Sequence, residues 1–289
     1  MQIEVVTPED IIEALAVFAA REVNLVLING GDGTIQAALN ALLNNRPFPL
    51  MPLLAVFPSG TANLIAGDVG LGPFTKGTIE QLIRFLPSSR SPLPIVKRNI
   101  LRLRFVDGRC PLYGMFFGAG AIYYGTQMGR ATKQSVGRLG EWGAGLILAK
   151  FLVALATGSK KRLHSVPIGF ARGKRDMENQ EYLVLFVTTL NRLFLGMKPF
   201  WSTEPGPLHC TGLMVPYRHL WRCLPNLLKG KGHHLATKEN GFVSYNPSEI
   251  RLQINSGFVL DGEVYNPPPM GQTITLEPGG EVSFVRLPS

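Results

Sequence analysis

Two rhythms of apolar and polar positions run along the chain. Residues 23–28 form a short apolar run rich in valine, leucine and isoleucine, as a buried strand requires. After Asn29-Gly30-Gly31-Asp32-Gly33-Thr34, the residues Ile35, Ala38, Leu39, Leu42 and Leu43 recur at helical spacing and line one helix face. The same strand–turn–helix pattern returns at Leu53 to Phe57, followed by Pro58-Ser59-Gly60-Thr61-Ala62-Asn63. Upstream, Ile3 to Val6 reads as a short strand. Thr7-Pro8-Glu9-Asp10 reads as a helix start, with Ile11, Ile12, Leu15, Phe18 and Ala19 facing inward. Residues 78–86 predict a helix burying Ile79, Leu82, Ile83 and Leu86. Residues 87–94, rich in proline and serine, predict a linker. The boundary therefore falls between an α/β unit, 1–90, and a mainly β unit, 91–289, whose last residues are free to pack back on the first.

Beyond the linker the rhythm shortens to that of strands. Ile100 to Val106, Asp107-Gly108 and Leu112 to Phe117 read as a hairpin. Tyr182 to Leu190 is the strongest single strand, and Leu208 to Val215 reads as another. Tyr217 to Leu228 reads as a helix interrupted by Pro225, and residues 242–289 as several short β-runs. Trp142 to Thr157 is apolar but too short for a membrane span and contains Lys150. It predicts a buried or surface-lying helix, followed by the basic cluster Lys160-Lys161-Arg162.

The glycine turns carry the first candidate chemistry. A strand–glycine turn–helix unit aims backbone N–H groups and the positive end of a helix dipole at the space above the strand, where a phosphate fits. Glycine lets the backbone approach it closely. Two such turns at neighbouring strand ends outline a crevice of the kind in which open α/β sheets bind ligands. The plain alternative for Asp32 or Thr34 is a helix cap.

Composition narrows the partner. The formal charge of +9 favours an anionic one, and no nucleic-acid-binding signature is present, which leaves phosphorylated ligands or an acidic membrane surface. Cys110, Cys210 and Cys223 are too few and scattered for a disulfide framework, so a reducing compartment is expected. No signal-peptide pattern opens the chain. His219 and Cys223, with His209-Cys210 before them, match no standard zinc spacing.

The order of Gly30-Gly31-Asp32-Gly33-Thr34 and, one βα unit later, Pro58 to Asn63 resembles the catalytic domain of the diacylglycerol kinase family, related to sphingosine kinases and more distantly to NAD kinases. A third stretch adds to it: Asp261-Gly262-Glu263, late in the β-rich half. If this stretch stays extended, Asp261 and Glu263 face the same way. Asp-Gly between alternating apolar residues is equally the signal of a tight hairpin, and by spacing alone both readings stand. The family shows such a triplet at this place.

The resemblance implies an α/β nucleotide-binding domain (three-layer, with a mostly parallel sheet of the NAD kinase/diacylglycerol kinase type) followed by a mainly β, sandwich-like domain. It implies a lipid kinase using ATP and Mg²⁺, with a diacylglycerol-type acceptor. Gly30, Gly31, Asp32, Gly33, Thr34, Ser59, Gly60, Thr61 and Asn63 would form the nucleotide site. Asp261 would be the general base, assisted by Glu263, with Asp32 and Asp261 toward the metal. The implied location is cytoplasmic, peripheral at an anionic inner-membrane surface; no nucleic acid is expected, and a homodimer is compatible. The alternatives are an NAD kinase-like enzyme or a non-catalytic lipid- or nucleotide-binding relative. Two departures bear on activity. The sequence starts after the family's opening strand and Asn-Pro-x-Ser-Gly turn, which would leave a sheet neighbour unpaired. Leu64 stands where many relatives carry an acid, and whether nearby Asp68 substitutes is open.

Overall fold

Thr7 and Asp10 start the first helix, α1 (Pro8–Ala20), by capping each other's backbone. The Asp10 carboxylate accepts from the N–H groups of Val6 and Thr7, both at 2.8 Å. Val6 N–H is thereby committed to the cap, and no strand forms at Ile3 to Val6, contrary to the sequence reading. The computed structural model describes residues 1–85, 93–133 and 164–287. The helix read over Trp142 to Thr157, the Lys160-Lys161-Arg162 cluster, Leu86 and nearly all of the 87–94 linker lie outside the described residues.

The first unit has three layers. Strand β1 (Leu25–Gly30) pairs in parallel with β2 (Leu53–Pro58), in register from Leu25↔Leu53 to Gly30↔Pro58. Helix α2 (Asp32–Asn40) runs on into one π-helical turn, Ala41–Asn45. It buries Ile35, Leu39 and Leu42 against Val26, Ile28 and Leu54, with α1 on the same face. The alternate strand residues Ala55 and Phe57 turn to the other face and meet Leu82 of α4 (Lys76–Phe85). A short helix, α3 (Leu64–Val69), follows the second turn. Ile83 of α4 departs from expectation: it is 54% exposed, because α4 packs through Ile79, Leu82 and Phe85 alone.

The second unit is built from β3 (Ile95–Phe105), β4 (Leu112–Gly114), β5 (Phe116–Gly120), β6 (Val166–Arg172), β7 (Glu178–Thr188), β8 (His209–Met214), β9 (Phe242–Tyr245), β10 (Ile250–Ile254), β11 (Phe258–Leu260), β12 (Glu263–Tyr265) and β13 (Thr273–Val285). Helices α5 (Ala121–Lys133) and α6 (Leu220–Leu227) accompany them. Strand order is β1-β2-β13-β10-β6-β7-β5-β11-β12, with β3 and β4 branching from β13, and β8 and β9 from β7. Pairing is parallel for β1 with β2 and for β2 with β13, and antiparallel elsewhere. The fold is thus an α/β unit with a parallel start, joined to a strand-rich part. Inward residues such as Phe117, Ile168, Leu185, Leu252 and Phe258 close a second core.

β13 joins the two units. Phe284 pairs with Leu54 in β2, and Val285 and Leu287 enter the α4 face. At the opposite end, β1 has no strand on its outer side among the described residues, and its Leu27 is 48% exposed.

Candidate active site

The register of β1 and β2 sets the two glycine turns side by side. Ser59 donates its N–H to the Gly30 carbonyl at 3.2 Å, and its hydroxyl donates to the Asn29 side chain. Gly31 and Gly60 then touch backbone to backbone: a Cβ on Gly60 would lie 2.6 Å from the Gly31 Cα. A side chain at Gly60 would force the main chain to shift, and one at Gly31, whose Cβ would lie 3.1 Å from the Gly60 Cα, would require a smaller shift. Asn63, at φ 48°, closes the second turn on itself. Its Oδ1 accepts from Gly60 N at 2.8 Å, and its Nδ2 donates to Gly60 O at 2.9 Å.

Asp32 opens α2 but its side chain leaves that helix. The carboxylate accepts from Leu64 N at 3.0 Å and Ile65 N at 2.9 Å, capping α3. The cap reading for Asp32 is therefore realised on a neighbouring helix, and it locks the two turns together. The N-cap of α2 is Gly31, with no side-chain capping bond, so no side chain caps the first-turn N–H groups of α2. Gly30 has no room for a side chain beside Thr34, whose Cβ would lie 2.6 Å from an added Cβ.

The third motif arrives from the other unit. Leu260 and Glu263 pair across the two-residue loop Asp261-Gly262, with both loop residues at positive φ, 48° and 83°. This is the type I′ hairpin pattern. Of the two readings open for this stretch the hairpin is the one formed: the chain reverses between Asp261 and Glu263, so they do not face the same way. Asp261 points inward and is 1% exposed. Its carboxylate accepts from Met115 N (2.9 and 3.1 Å) and Phe116 N (2.8 Å), at the junction of β4 and β5. Gly114 makes room for it, since a Cβ there would overlap the carboxylate.

Glu263 takes the opposite side. Its carboxylate lies against Gly33 at the start of α2, where a Cβ would collide with it. Arg130 of α5 holds it at 2.6 Å and also donates to the Gly262 carbonyl at 2.8 Å. Further along, Gln36 donates to the Tyr265 hydroxyl, and Asn40 bonds both the N–H and the carbonyl of Tyr113. Helix α2 is therefore bound along its length to the second unit.

Burial dominates the electrostatics. It pushes the Asp261 carboxyl well above its ordinary value of 3.8, and the nearby charge of Asp32 pushes it further; the N–H groups of Met115 and Phe116 oppose the rise. Burial also raises Asp32, against the N–H groups of Ile65 and Leu64. Two oxygen-donor acids that repel each other beside an uncapped helix start suit a hard cation. Among the described residues no cluster of three His, Cys, Asp or Glu side chains could hold an ion. The residues fit Mg²⁺ that arrives with a nucleotide, held by one or two carboxylates, phosphate oxygens and water.

Asp68 does other work. It is 1% exposed on α3 and accepts from Arg98 Nε at 2.8 Å and Asn191 N at 3.1 Å, joining α3 to β3 and to the loop after β7. Leu64 contributes its N–H to Asp32 and packs on the α2 core.

Sequence reasoning missed Arg130, Gly114 and the N–H groups of Met115 and Phe116. Arg130 lies in a mixed helix without a motif, and backbone donors carry no sequence signal.

Comparison with known proteins bears on the glycine-turn segment and on the fold. Residues 1–89 match the family model of the diacylglycerol kinase catalytic domain. That span holds both glycine turns, so the resemblance read from them is found independently. No curated protein sequence matches the chain. A crystal structure described as a diacylglycerol kinase from Bacillus anthracis str. Sterne is 15% identical, covering 99% of this chain and 84% of that one, with a TM-score of 0.58. A second from the same organism, described as a candidate diacylglycerol kinase, is 17% identical, covering 99% and 86%, with a TM-score of 0.62. These identities show a common fold, which extends over both units.

The Gly31–Gly60 contact yields a direct test. Gly60→Ala is expected to lower the unfolding free energy by about 1–3 kcal/mol, since only backbone could give way. Gly67→Ala, in α3 with open space at its Cβ, is the control and should be neutral or stabilising. Urea unfolding of the two variants checks this.

Proposed function

We propose that the chain is an ATP-dependent lipid kinase that transfers the γ-phosphoryl group to a lipid hydroxyl, with a diacylglycerol-type acceptor. One observation carries the reading: the Asp261-Gly262-Glu263 hairpin turn of the second unit comes to the first glycine turn, with the Glu263 carboxylate against Gly33 and Asp261 buried. A buried carboxylate with a raised pKa beside a phosphate-type turn is a suitable base for an alcohol.

In this reading the backbone of Gly30, Gly31 and Gly33, with Thr34, and the turn Ser59-Gly60-Thr61 held by Asn63, cradle the phosphates. Asp32 and Asp261 would be the carboxylates toward a Mg²⁺ brought in with the nucleotide, which would supply neutralisation of phosphate charge. Asp261 takes the proton of the acceptor hydroxyl as its oxygen bonds to the γ-phosphorus. The bond from that phosphorus to the β-phosphate oxygen breaks, and ADP leaves. Positioning and charge neutralisation supply most of the rate in such transfers, which suits a site made of turns and carboxylates. Glu263 lies against Gly33 at the α2 start, and Arg130 holds it there.

The test offers γ-labelled ATP with Mg²⁺ to the protein together with diacylglycerol, a sphingoid base and a phospholipid in mixed micelles, and separately NAD. Label in diacylglycerol is expected. Label in NAD alone would move the chain to an NAD kinase-like activity, and no label from a folded protein would favour the non-catalytic reading.

A further inference from the structure

The most one-sided charge distribution of the described residues lies away from the crevice. From Pro205 to Lys238 the chain contains no acidic residue but carries Arg218, Arg222, Lys229, Lys231 and Lys238. Lys238 pairs with Glu178. The other four are exposed, and among the described residues none of them is in an ion pair. A charge run is ordinarily just a solvated face. Here it is interleaved with apolar surface.

Helix α6 sets that surface. Leu220, Cys223 and Leu227 recur at helical spacing and are buried against Leu183 and Phe242. The intervening residues must therefore point outward, and Trp221 is 49% exposed. Just before the helix, Val215 is 39% exposed beside exposed Pro216. Tyr217, His219, Leu220, Trp221 and Arg222 line a shallow cleft of ≈ 410 Å³. Leaving an indole half in water loses burial that a neighbouring apolar phase would restore. Tryptophan beside cations is the composition of a membrane–water interface.

Position supports the same use. Ala121, the first residue of α5, packs in the α6 cluster, and Arg130 near the other end of α5 holds Glu263. Ala121 and Arg130 are nine residues apart on α5, a rise of roughly 14 Å, so the α6 cluster and Glu263 lie at opposite ends of one helix.

We propose that the Val215 to Lys231 surface, with Trp221 as its apolar anchor and Arg218 and Arg222 as its charged rim, docks the protein on an anionic lipid bilayer. Acyl and glycerol regions take the indole, and anionic headgroups meet the arginines. This names the partner of the site proposed above and rests on that reading only in that the acceptor resides in the bilayer.

The test is sedimentation of the full chain with phosphatidylglycerol/phosphatidylcholine vesicles and with neutral phosphatidylcholine vesicles, without nucleotide. Binding to the anionic vesicles is expected to exceed binding to neutral ones. Arg218→Gln and Arg222→Gln should each weaken it about 5-fold. Trp221→Ala should weaken it at unchanged charge, and brominated lipid should quench the wild type more than Trp221→Phe. Lys76→Gln with Arg84→Gln removes two exposed charges on α4 and should leave binding unchanged. Equal loss in that control, equal binding to neutral vesicles, or no vesicle binding would overturn the proposal. So would retention of a nucleic acid duplex that depends on the same arginines in the absence of vesicle binding. Vesicle binding by a chain that transfers no phosphate would sink the kinase reading alone; transfer to micellar lipid without vesicle binding would sink the docking surface alone.

Discussion

Asp261→Asn is expected to reduce γ-phosphoryl transfer by about 100- to 10,000-fold, the range for loss of a general base. The substitution keeps the positive φ of the hairpin, which asparagine tolerates, and one oxygen to accept from Met115 or Phe116. Its amide nitrogen meets a second N–H, a loss on the order of 1–3 kcal/mol, offset by removing a buried charge beside Asp32. The pH dependence separates the two effects. The raised pKa of Asp261 means the folded protein holds this proton more tightly than the unfolded chain. Its contribution to stability is full below the unfolded value near 3.8 and is lost as pH rises through the folded value. Wild type should therefore lose stability over that window while it gains activity, because the base works only as the anion. In Asp261→Asn the thermal midpoint should vary less with pH. A variant that retains full transfer, or a wild-type rate that falls as pH rises through this window, would remove Asp261 from the base role.

Asp68→Ala should be the most destabilising single change outside the hydrophobic cores. The Arg98 side chain, only 12% exposed, would keep its charge without a partner, and Asn191 N–H would lose its acceptor. Breaking a buried pair from one side costs about 3–5 kcal/mol, or roughly 6–20 °C in the thermal midpoint. The double variant Asp68→Ala, Arg98→Met should recover part of this, because the more buried unpaired charge goes with Arg98, while Arg192, 3.8 Å from Asp68 and 38% exposed, keeps its own. Calorimetry of the single and double variants checks the prediction, and kinetics of Asp68→Asn supply the contrast. If Asp68→Asn kept its thermal midpoint but lost transfer, Asp68 would be standing in for the acid that relatives carry at the position of Leu64.

These expectations differ in how far they could be read from the sequence. The two glycine turns were legible because strand, turn and helix are local: Val26, Ile28, Ile35 and Leu39 announce their periods within one short stretch. The β-rich character of the second half was legible for the same reason. The strand expected at Ile3 to Val6 failed because pairing needs a neighbour, and Asp10 offered the backbone a nearer acceptor. Ile83 was misplaced because helical spacing gives a face but not its width.

The partners of the polar residues were decided by tertiary structure alone. Asp32 caps α3, Asp68 meets Arg98, and Glu263 meets Arg130 across 133 positions of chain. Asp261-Gly262 was open between extended strand and hairpin. The type I′ turn settled it, aiming one carboxylate inward to Met115 and Phe116 and the other toward Gly33. By itself the sequence determined which segments form strands, turns and helices, since these follow from apolar spacing and glycine within a few residues. Which carboxylates share the crevice was decided only when β2, β13 and the hairpin came together. Charge and burial act through space, and distance through space is not written in distance along the chain.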